Sequence, residues 1–258
     1  RRTATYHTFP ASDFHPCKGK FEIALGDNLF TDSTLKLDLP GASGRLTFTV
    51  QTPWPNPWYS PGIMGPYTFV PFMECYHGIL SMDHIINGEL TIQGKTIDFT
   101  NGRGYMEKDW GQSFPSAYFW MQTNHFSVPG ISLKASVANI PWLGSSFTGF
   151  IAGIWLHDRL IQFTTYNGTR LLRSFADSRH VQLVMDNKNY RLEILAHREA
   201  VTQLASPISG FMTGRIEESM TSRIEVCLID KKTNTIILKD TGRNAGLEVA
   251  GEIKEITI

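Results

Sequence analysis

The sequence predicts an all-β protein, a sandwich or a barrel, on three observations. Short segments alternate apolar and polar residues with a period of two, and turn signals such as Asn167-Gly168 recur about every ten residues. No long stretch shows the 3.6-residue period of a helix. At 258 residues, the chain can bury a large core in one big β domain or two modest ones.

The predicted strands follow one another with short polar or glycine-containing connections. In chain order they are residues 21–25, 46–50, 90–93, 96–99, 161–166, 181–185, 190–195, 224–228 and 235–238. A helical turn is also expected at residues 114–121, on a weaker pattern. Residues 52–62 contain several prolines, which have no backbone N–H to donate to a neighbouring strand. This stretch is therefore predicted to be a stiff loop carrying Trp54, Trp58 and Tyr59. That loop is either part of a ligand lid or a hydrophobic loop packed on the sheet.

Composition excludes several classes of function. The chain has 24 Lys+Arg and 24 Asp+Glu residues, so its formal net charge is zero, and it has no basic block that would indicate a nucleic-acid partner. A hydrophobic content of 41% argues against disorder. The longest apolar run, residues 147–156, is about half of the ~20 residues that a membrane-spanning helix needs.

The cysteines indicate the compartment. Cys17, Cys75 and Cys227 are far apart, odd in number and without CxxC spacing, so they predict neither a disulfide framework nor a zinc site. They fit a reducing compartment, and we predict a cytoplasmic location. The chain begins Arg1-Arg2 without Met, which indicates a trimmed N-terminus and leaves a targeting segment open.

The densest polar-aromatic motif lies at residues 104–115. If residues 104–110 form a strand, Tyr105, Glu107 and Asp109 share one face, while Trp110 lies on the other. Two neighbouring carboxylates repel, so one could keep its proton in a low-dielectric cavity and serve as an acid. The alternative is that Glu107, Lys108 and Asp109 form a solvated or salt-bridged turn.

Other residues are candidates for binding. Trp120, Gln122 and Asn124 share a face if extended, and would offer an indole wall and two amides. Glu74 and His77 lie close together in sequence, and His77 could bond to a carboxylate as a proton relay or play a structural part. The spacing of Glu74, His77, Asp83 and His84 is poor for a metal, so no metal is predicted. Cys75 is expected to be a buried, inert thiol.

Several ordered motifs resemble the tocopherol cyclase family. They are Gly-Tyr-Met-Glu-Lys-Asp-Trp-Gly at 104–111, Ser-Phe-Pro at 113–115 and Trp-x-Gln-x-Asn at 120–124, with further blocks at 71–78, 206–219 and 242–248. The resemblance covers the chain from about Pro10 to the end. It implies a fold of two lipocalin-like antiparallel β-barrels (calycin-like) in one chain, with domains at residues 1–103 and 104–258.

The resemblance also implies an activity. Plant members close a chromanol ring by protonating a prenyl double bond, whose cation the phenol oxygen captures, with no cofactor. For this chain it implies a hydrophobic, isoprenoid small molecule as partner, and Asp109 or Glu107 as the acid. The cation-facing walls would be Tyr105, Trp110 and Trp120. In the related carotenoid 1,2-hydratases an acidic-His pair occupies this place. Here Lys108 stands in the middle, so a histidine donor is not carried over.

Two functions from different classes remain open. The first is a cofactor-independent cyclase, hydratase or isomerase with Asp109, Glu107 and Tyr105 as catalytic residues. The second is a carrier of a lipophile without chemistry, since both need an aromatic-lined cavity. The ligand-binding residues are the same in either case: Trp110, Trp120, Gln122, Asn124, Trp54, Trp58, Glu74 and His77. A degenerate family member with a filled site is a third alternative.

Overall fold

A computed structural model describes residues 4–258, and in that range every extended element is a β-strand and no α-helix forms. Arg1–Thr3 lie outside the described residues. Three short 3-10 helices span Ala11–Asp13, Gly65–Phe69 and Ile253–Ile256. The strands are β1 Phe14–Pro16, β2 Glu22–Leu25, β3 Asn28–Thr31, β4 Thr34–Leu39, β5 Ala42–Thr49, β6 Cys75–Ile92, β7 Lys95–Asp98, β8 Gly102–Gly111, β9 Ala117–Thr123, β10 Ile131–Trp142, β11 Ser145–Leu156, β12 Arg159–Thr164, β13 Arg170–Ala176, β14 His180–Asp186, β15 Tyr190–His197, β16 Thr202–Ile208, β17 Phe211–Asp230 and β18 Thr235–Gly251.

The strands form two sheets, and their neighbouring strands pair in antiparallel fashion. The eight-stranded sheet has the order β1-β2-β3-β4-β5-β6-β7, and β8 pairs with β6. The ten-stranded sheet has the order β12-β11-β10-β9-β18-β17-β15-β14-β13, and β16 pairs with β17. The prediction of an antiparallel all-β protein is confirmed.

The prediction of two closed barrels is not confirmed. Closure requires the first and last strands of a sheet to pair, and the described strand orders end at β1 and β7 in one sheet and at β12 and β13 in the other. Period-two alternation predicts strands and their buried face, but closure depends on stagger and tilt across the whole sheet. The expected helical turn at residues 114–121 is also wrong, because β9 begins at Ala117.

Residues 4–258 divide into two compact units. The larger comprises Ala4, Trp54–Ile79 and Glu107–Ile258, and the smaller comprises Thr5–Pro53 and Leu80–Met106. The strands β6 and β8 each contribute residues to both units. The division at residue 103 that the family resemblance implies stays a prediction.

The hydrophobic core of the larger unit lies on one face of the ten-stranded sheet. Alternate residues of the central strands are fully buried there, such as Phe119 and Met121 on β9 and Leu133 and Val137 on β10. The intervening residues of the same strands point to the opposite face. That second face holds the polar side chains described next. No helix among the described residues is long and apolar enough to cross a membrane.

Candidate active site

A histidine lies between two carboxylates where β6 and β8 run side by side. His77 Nδ1 contacts Asp109 Oδ1 in a very short hydrogen bond, and His77 Nε2 lies 3.1 Å from Glu107 Oε1. Period-two alternation places Glu107 and Asp109 on the same face of β8. The Glu107 side chain is 9% exposed, His77 16% and Asp109 31%, so Asp109 is the member of this trio most accessible to a ligand.

A fully buried lysine completes the cluster. Lys134 lies on the polar face of β10, with its Nζ 2.5 Å from His77 Nε2 and 2.8 Å from Ser136 Oγ. Burial lowers the pKa of Lys134 below its usual value, and the charges of Glu107 and Asp109 act in the opposite direction. A buried ammonium is costly without a nearby counter-charge, so the carboxylates and Lys134 stabilise one another.

The cluster fixes the position of one proton. If Lys134 holds the positive charge, it donates to His77 Nε2, and the neutral ring keeps its hydrogen on Nδ1. If the proton moves across this 2.5 Å contact, the imidazolium still carries a hydrogen on Nδ1. In both arrangements His77 Nδ1–H donates to Asp109 Oδ1.

Indole rings border the cluster. Trp120 Nε1–H donates to Glu107 Oε1 over 2.9 Å, and Trp120 pairs across the strands with Ser136 on β10 and Glu248 on β18. Its ring lies over Gly246, where an added Cβ would come 2.7 Å from Cζ3. Only a residue without a side chain leaves room for that ring.

A second tryptophan ring lies over a glycine in the neighbouring row of paired residues, the row that contains Lys134. Lys134 pairs with Gln122 on one side and with Gly153 on the other. The ring of Trp54 lies over Gly153, where an added Cβ would come 2.4 Å from Cζ3. Gln122 is buried, and its Nε2 has no hydrogen-bond partner within residues 4–258. This amide is a donor that a bound ligand could satisfy.

A second acidic group adjoins Trp120 on the same face. Tyr118 donates to Glu248 Oε2 over 2.7 Å, and Glu218 pairs directly with Glu248 across β17 and β18. Burial raises the pKa of Glu248 to about 7, and the neighbouring charge of Glu218 adds to the effect. Burial also raises the pKa of the Tyr118 hydroxyl. Glu248 is therefore partly protonated near neutral pH.

Three of these side chains could together hold a metal. One ligand atom from each of His77, Glu107 and Asp109 falls within 4.8 Å of the others. Both nitrogens of His77 are already engaged, and the nitrogen of Lys134 lies 2.5 Å from Nε2. An ammonium at that position repels a cation, so this donor set fits proton transfer better than metal binding.

The remaining sequence candidates lie elsewhere. Trp110 is on the opposite face of β8, stacked on Tyr76 with ring centroids 5.5 Å apart and with Lys108 Nζ 5.0 Å from its ring. Trp58 is 86% exposed, and Glu74 is exposed. Their predicted binding roles stay predictions.

Asn124 and Tyr105 are two further candidates from the sequence. Asn124 is buried just after β9, following Trp120 and Gln122 as the alternation predicts. Tyr105 lies within Leu80–Met106, in the smaller compact unit, whereas Glu107 and Asp109 belong to the larger one.

The other titratable candidates, Asp83, His84 and Cys75, have surroundings that fit structural roles. Arg103 binds Asp83 with two hydrogen bonds, and the ring of His84 packs on Phe48. Burial lowers the pKa of His84 to about 4, so this histidine is neutral. Burial and the charges of Asp109 and Glu107 raise the pKa of the Cys75 thiol to about 12. Cys75 is thus a poor nucleophile near neutral pH.

Sequence reasoning missed Lys134, Tyr118 and Glu248. The segment at 131–137 alternates apolar residues with Ser132, Lys134 and Ser136, a pattern typical of a strand with a solvent-facing polar side. Only the long-range pairing of β10 with β9, and the contact with His77, show that this side is covered.

The fold and site define an all-β protein with a partly buried acid–base cluster bordered by indole rings. The family model described as tocopherol cyclase-like matches residues 45–251, so the chain belongs to the tocopherol cyclase-like family. The resemblance found in the sequence is thereby confirmed.

Two plant proteins are among its relatives. The chain is 26% identical over 191 residues to the probable tocopherol cyclase, chloroplastic, of Oryza sativa subsp. japonica, a match covering 70% of this chain and 40% of the relative. It is 26% identical over 193 residues to the tocopherol cyclase, chloroplastic, of Zea mays, with the same coverage. The chain thus spans less than half the length of these relatives.

A solved structure shares the fold. The crystal structure of CghA with Sch210972 superposes with a TM-score of 0.55 at 10% identity, covering 92% of this chain and 72% of that one. The crystal structure of CghA alone gives a TM-score of 0.54 with the same identity and coverage. At this identity the likeness concerns the fold alone.

Proposed function

We propose that the chain is a cofactor-independent, acid-catalysed cyclase that acts on a prenylated hydrophobic small molecule. One observation supports this most directly: the hydrogen-bonded chain from buried Lys134 through His77 to the more accessible Asp109. Asp109 is the proposed proton donor, and Glu107 is the counter-charge that keeps Lys134 and His77 together. Membership of the tocopherol cyclase-like family supports the same class of reaction.

The proposed reaction conserves every atom of the substrate. A proton on Asp109 passes to one carbon of a prenyl double bond, and the electron pair of that bond forms the new C–H bond. The phenol oxygen then attacks the resulting cation and closes the ring. The phenol proton returns to the Asp109 carboxylate, so the product is an isomer of the substrate and the acid is regenerated.

The protein's part in this scheme is electrostatic. His77 Nδ1–H stabilises the carboxylate that remains after proton transfer. The faces of Trp120 and Trp54 stabilise the cation, and the unpaired Nε2 of Gln122 donates to a polar atom of the substrate. These binding roles belong to the proposal. The lipocalin-like character of the fold belongs to it as well.

The test is turnover by matched variants. The chain is incubated with a prenylated hydroquinone, and ring closure is followed by chromatography and mass spectrometry. Asp109→Asn is expected to slow turnover by about 10²–10⁴-fold, the range for losing a general acid, and Glu107→Gln to slow it as well. His197→Asn is the control, because His197 and Glu225 form a similar pair, 2.6 Å apart, outside the cluster. Unchanged turnover in Asp109→Asn would contradict Asp109 as the donor, and unchanged turnover in both variants would contradict acid catalysis by this cluster.

The alternative function is a non-catalytic lipophile carrier. A cavity of about 450 Å³ favours it, lined by Trp54, Tyr59, Tyr166 and Gln162 among others. Under this alternative, the hydroquinone binds without conversion, and Trp54→Ala weakens binding while Asp109→Asn leaves binding intact. Conversion of substrate by the wild-type chain would exclude it.

The compartment is part of the proposal as well. The plant relatives are named as chloroplastic, whereas the cysteine pattern of this chain predicts a cytoplasmic location. Localisation of the tagged full-length protein in its own host tests this prediction.

A further inference from the structure

Two segments of the larger unit contain no charged residue and no histidine. Residues 54–73 and 135–156 have no Asp, Glu, Lys, Arg or His, in a chain where charged residues make up 19%. The first is the proline-rich segment with the 3-10 helix Gly65–Phe69, and the second is most of the β10–β11 hairpin. In residues 135–156 part of this absence reflects burial in the core, whereas residues 54–73 are mostly half-buried or exposed, and an absence of charge is unusual there.

The two segments pack together. The ring of Tyr67 lies 6.1 Å from Trp142 and 6.0 Å from Phe147, and Tyr166 donates a 2.8 Å hydrogen bond to the carbonyl of Ile63. A 3.0 Å hydrogen bond from Thr68 to the carbonyl of Pro61 ties the proline-rich loop to the 3-10 helix. These contacts hold the segments as one supported surface.

That surface exposes large apolar side chains. The exposed fractions are 86% for Trp58, 63% for Tyr59, 64% for Phe69, 85% for Phe72, 38% for Trp142 and 89% for Leu143, and these six residues are called the aromatic platform below. Single exposed apolar residues are ordinary, but a group of large ones on a surface without charge indicates an interaction site.

The composition of the aromatic platform points to one kind of partner. Tryptophan and tyrosine favour the boundary between lipid headgroups and acyl chains, where an apolar ring and a polar edge are both satisfied. Protein–protein interfaces are usually enriched in arginine, and neither segment contains one. Absence of charge also disfavours attraction to an anionic surface through basic residues.

We propose that the aromatic platform docks this chain onto an electrically neutral lipid surface. Trp58, Tyr59 and Phe72 enter the interface, and the charge-free segments behind them lie against the headgroups. The cavity of about 450 Å³ is lined in part by the same proline-rich loop, including Tyr59, so docking places its lining next to the lipid. The proposal concerns binding alone and does not depend on catalysis.

The test is flotation with vesicles of phosphatidylcholine. The wild-type chain is expected to float with the vesicles, with binding that changes little between low and high salt, because apolar contacts are not screened. Trp58→Ser with Phe72→Ser is expected to weaken partitioning about tenfold or more, since each change removes a large apolar side chain from the interface. Both side chains are exposed, so the variant is expected to fold, which its circular dichroism checks.

A matched control uses apolar residues elsewhere on the surface. Ile208 and Phe211 are 54% and 71% exposed at the β16–β17 turn, and Ile208→Ser with Phe211→Ser is expected to leave flotation unchanged. Lipids brominated on their acyl chains are expected to quench wild-type tryptophan fluorescence more than that of Trp58→Phe.

Four outcomes would overturn the proposal. They are a wild-type chain that stays below neutral vesicles, flotation that needs anionic lipid and low salt, and equal loss in the control variant. The fourth is self-association that the Trp58→Ser, Phe72→Ser variant abolishes without any vesicle binding, which would assign the aromatic platform to a second copy of the chain.

Discussion

Replacing Lys134 by methionine tests whether the buried cluster is held together by charge. Lys134 is fully buried, with its Nζ within hydrogen-bond distance of His77 and Ser136. Methionine preserves an unbranched side chain of similar length, so the packing loss is small. The change removes two charge-assisted hydrogen bonds, each of about 1.5–3 kcal/mol, and leaves Glu107 buried beside fewer positive charges.

The expected loss in free energy of unfolding is about 3–5 kcal/mol, the range for breaking a buried ion pair by removing one partner. For a chain of this size it corresponds to a fall in melting temperature of about 6–20 °C. Urea denaturation followed by tryptophan fluorescence is the assay. Every tryptophan of the chain lies in the larger unit, so the signal reports the unit that contains Lys134.

Two matched variants separate charge from packing. Lys239→Met removes an exposed lysine of the same sheet and is expected to change stability by less than about 0.5 kcal/mol. Adding Glu107→Gln to Lys134→Met is expected to recover at least about 1 kcal/mol, because the uncompensated carboxylate is then gone. If Lys134→Met costs no more than Lys239→Met, charge pairing does not hold the cluster and the reasoning is refuted.

Three further predictions concern Glu248, Gly246 and Cys75. Because burial raises the pKa of Glu248 to about 7 from its usual 4.5, the folded chain binds a proton there more tightly than the unfolded chain, and stability should fall as pH rises from about 4.5 to 7. Glu248→Gln should flatten that part of the urea stability profile, and an unchanged slope would count against the assignment. Gly246→Ala should cost about 1–3 kcal/mol and change the tryptophan emission spectrum, because the new Cβ meets Trp120; wild-type stability and emission would contradict this. A thiol-specific disulfide reagent at pH 8 should label exposed Cys17 at once and Cys75 only after unfolding, and rapid labelling of Cys75 in the folded chain would contradict its raised pKa.

The strands were predictable from sequence because their signals are local. The hairpin at residues 181–195 has period-two alternation on both sides of a polar turn, and the structure places β14 and β15 there. The alternation that put Glu107 and Asp109 on one face, and Trp110 on the other, holds within β8. Only residue type and spacing are needed for such inferences.

The cluster was only partly predictable because its members come together through long-range pairing. His77 and Lys134 are 57 residues apart, on strands β6 and β10. A lysine in an alternating strand normally points to water, and no local pattern shows that other strands cover it. The register of β9, β10 and β18 determines which polar residues become neighbours, and neither turn chemistry nor composition specifies it.

The central claim is that Asp109 delivers a proton to a carbon atom, and ring closure in D2O tests it most directly. When the chain is incubated in D2O with a prenylated hydroquinone, the cyclised product is expected to carry one deuterium on carbon. This deuterium does not exchange back in H2O, so the mass of the product rises by one unit. Asp109→Asn is expected to form this product about 10²–10⁴-fold more slowly, while His197→Asn behaves as wild type. A cyclised product without carbon-bound deuterium, or one formed equally well by Asp109→Asn, would contradict the claim.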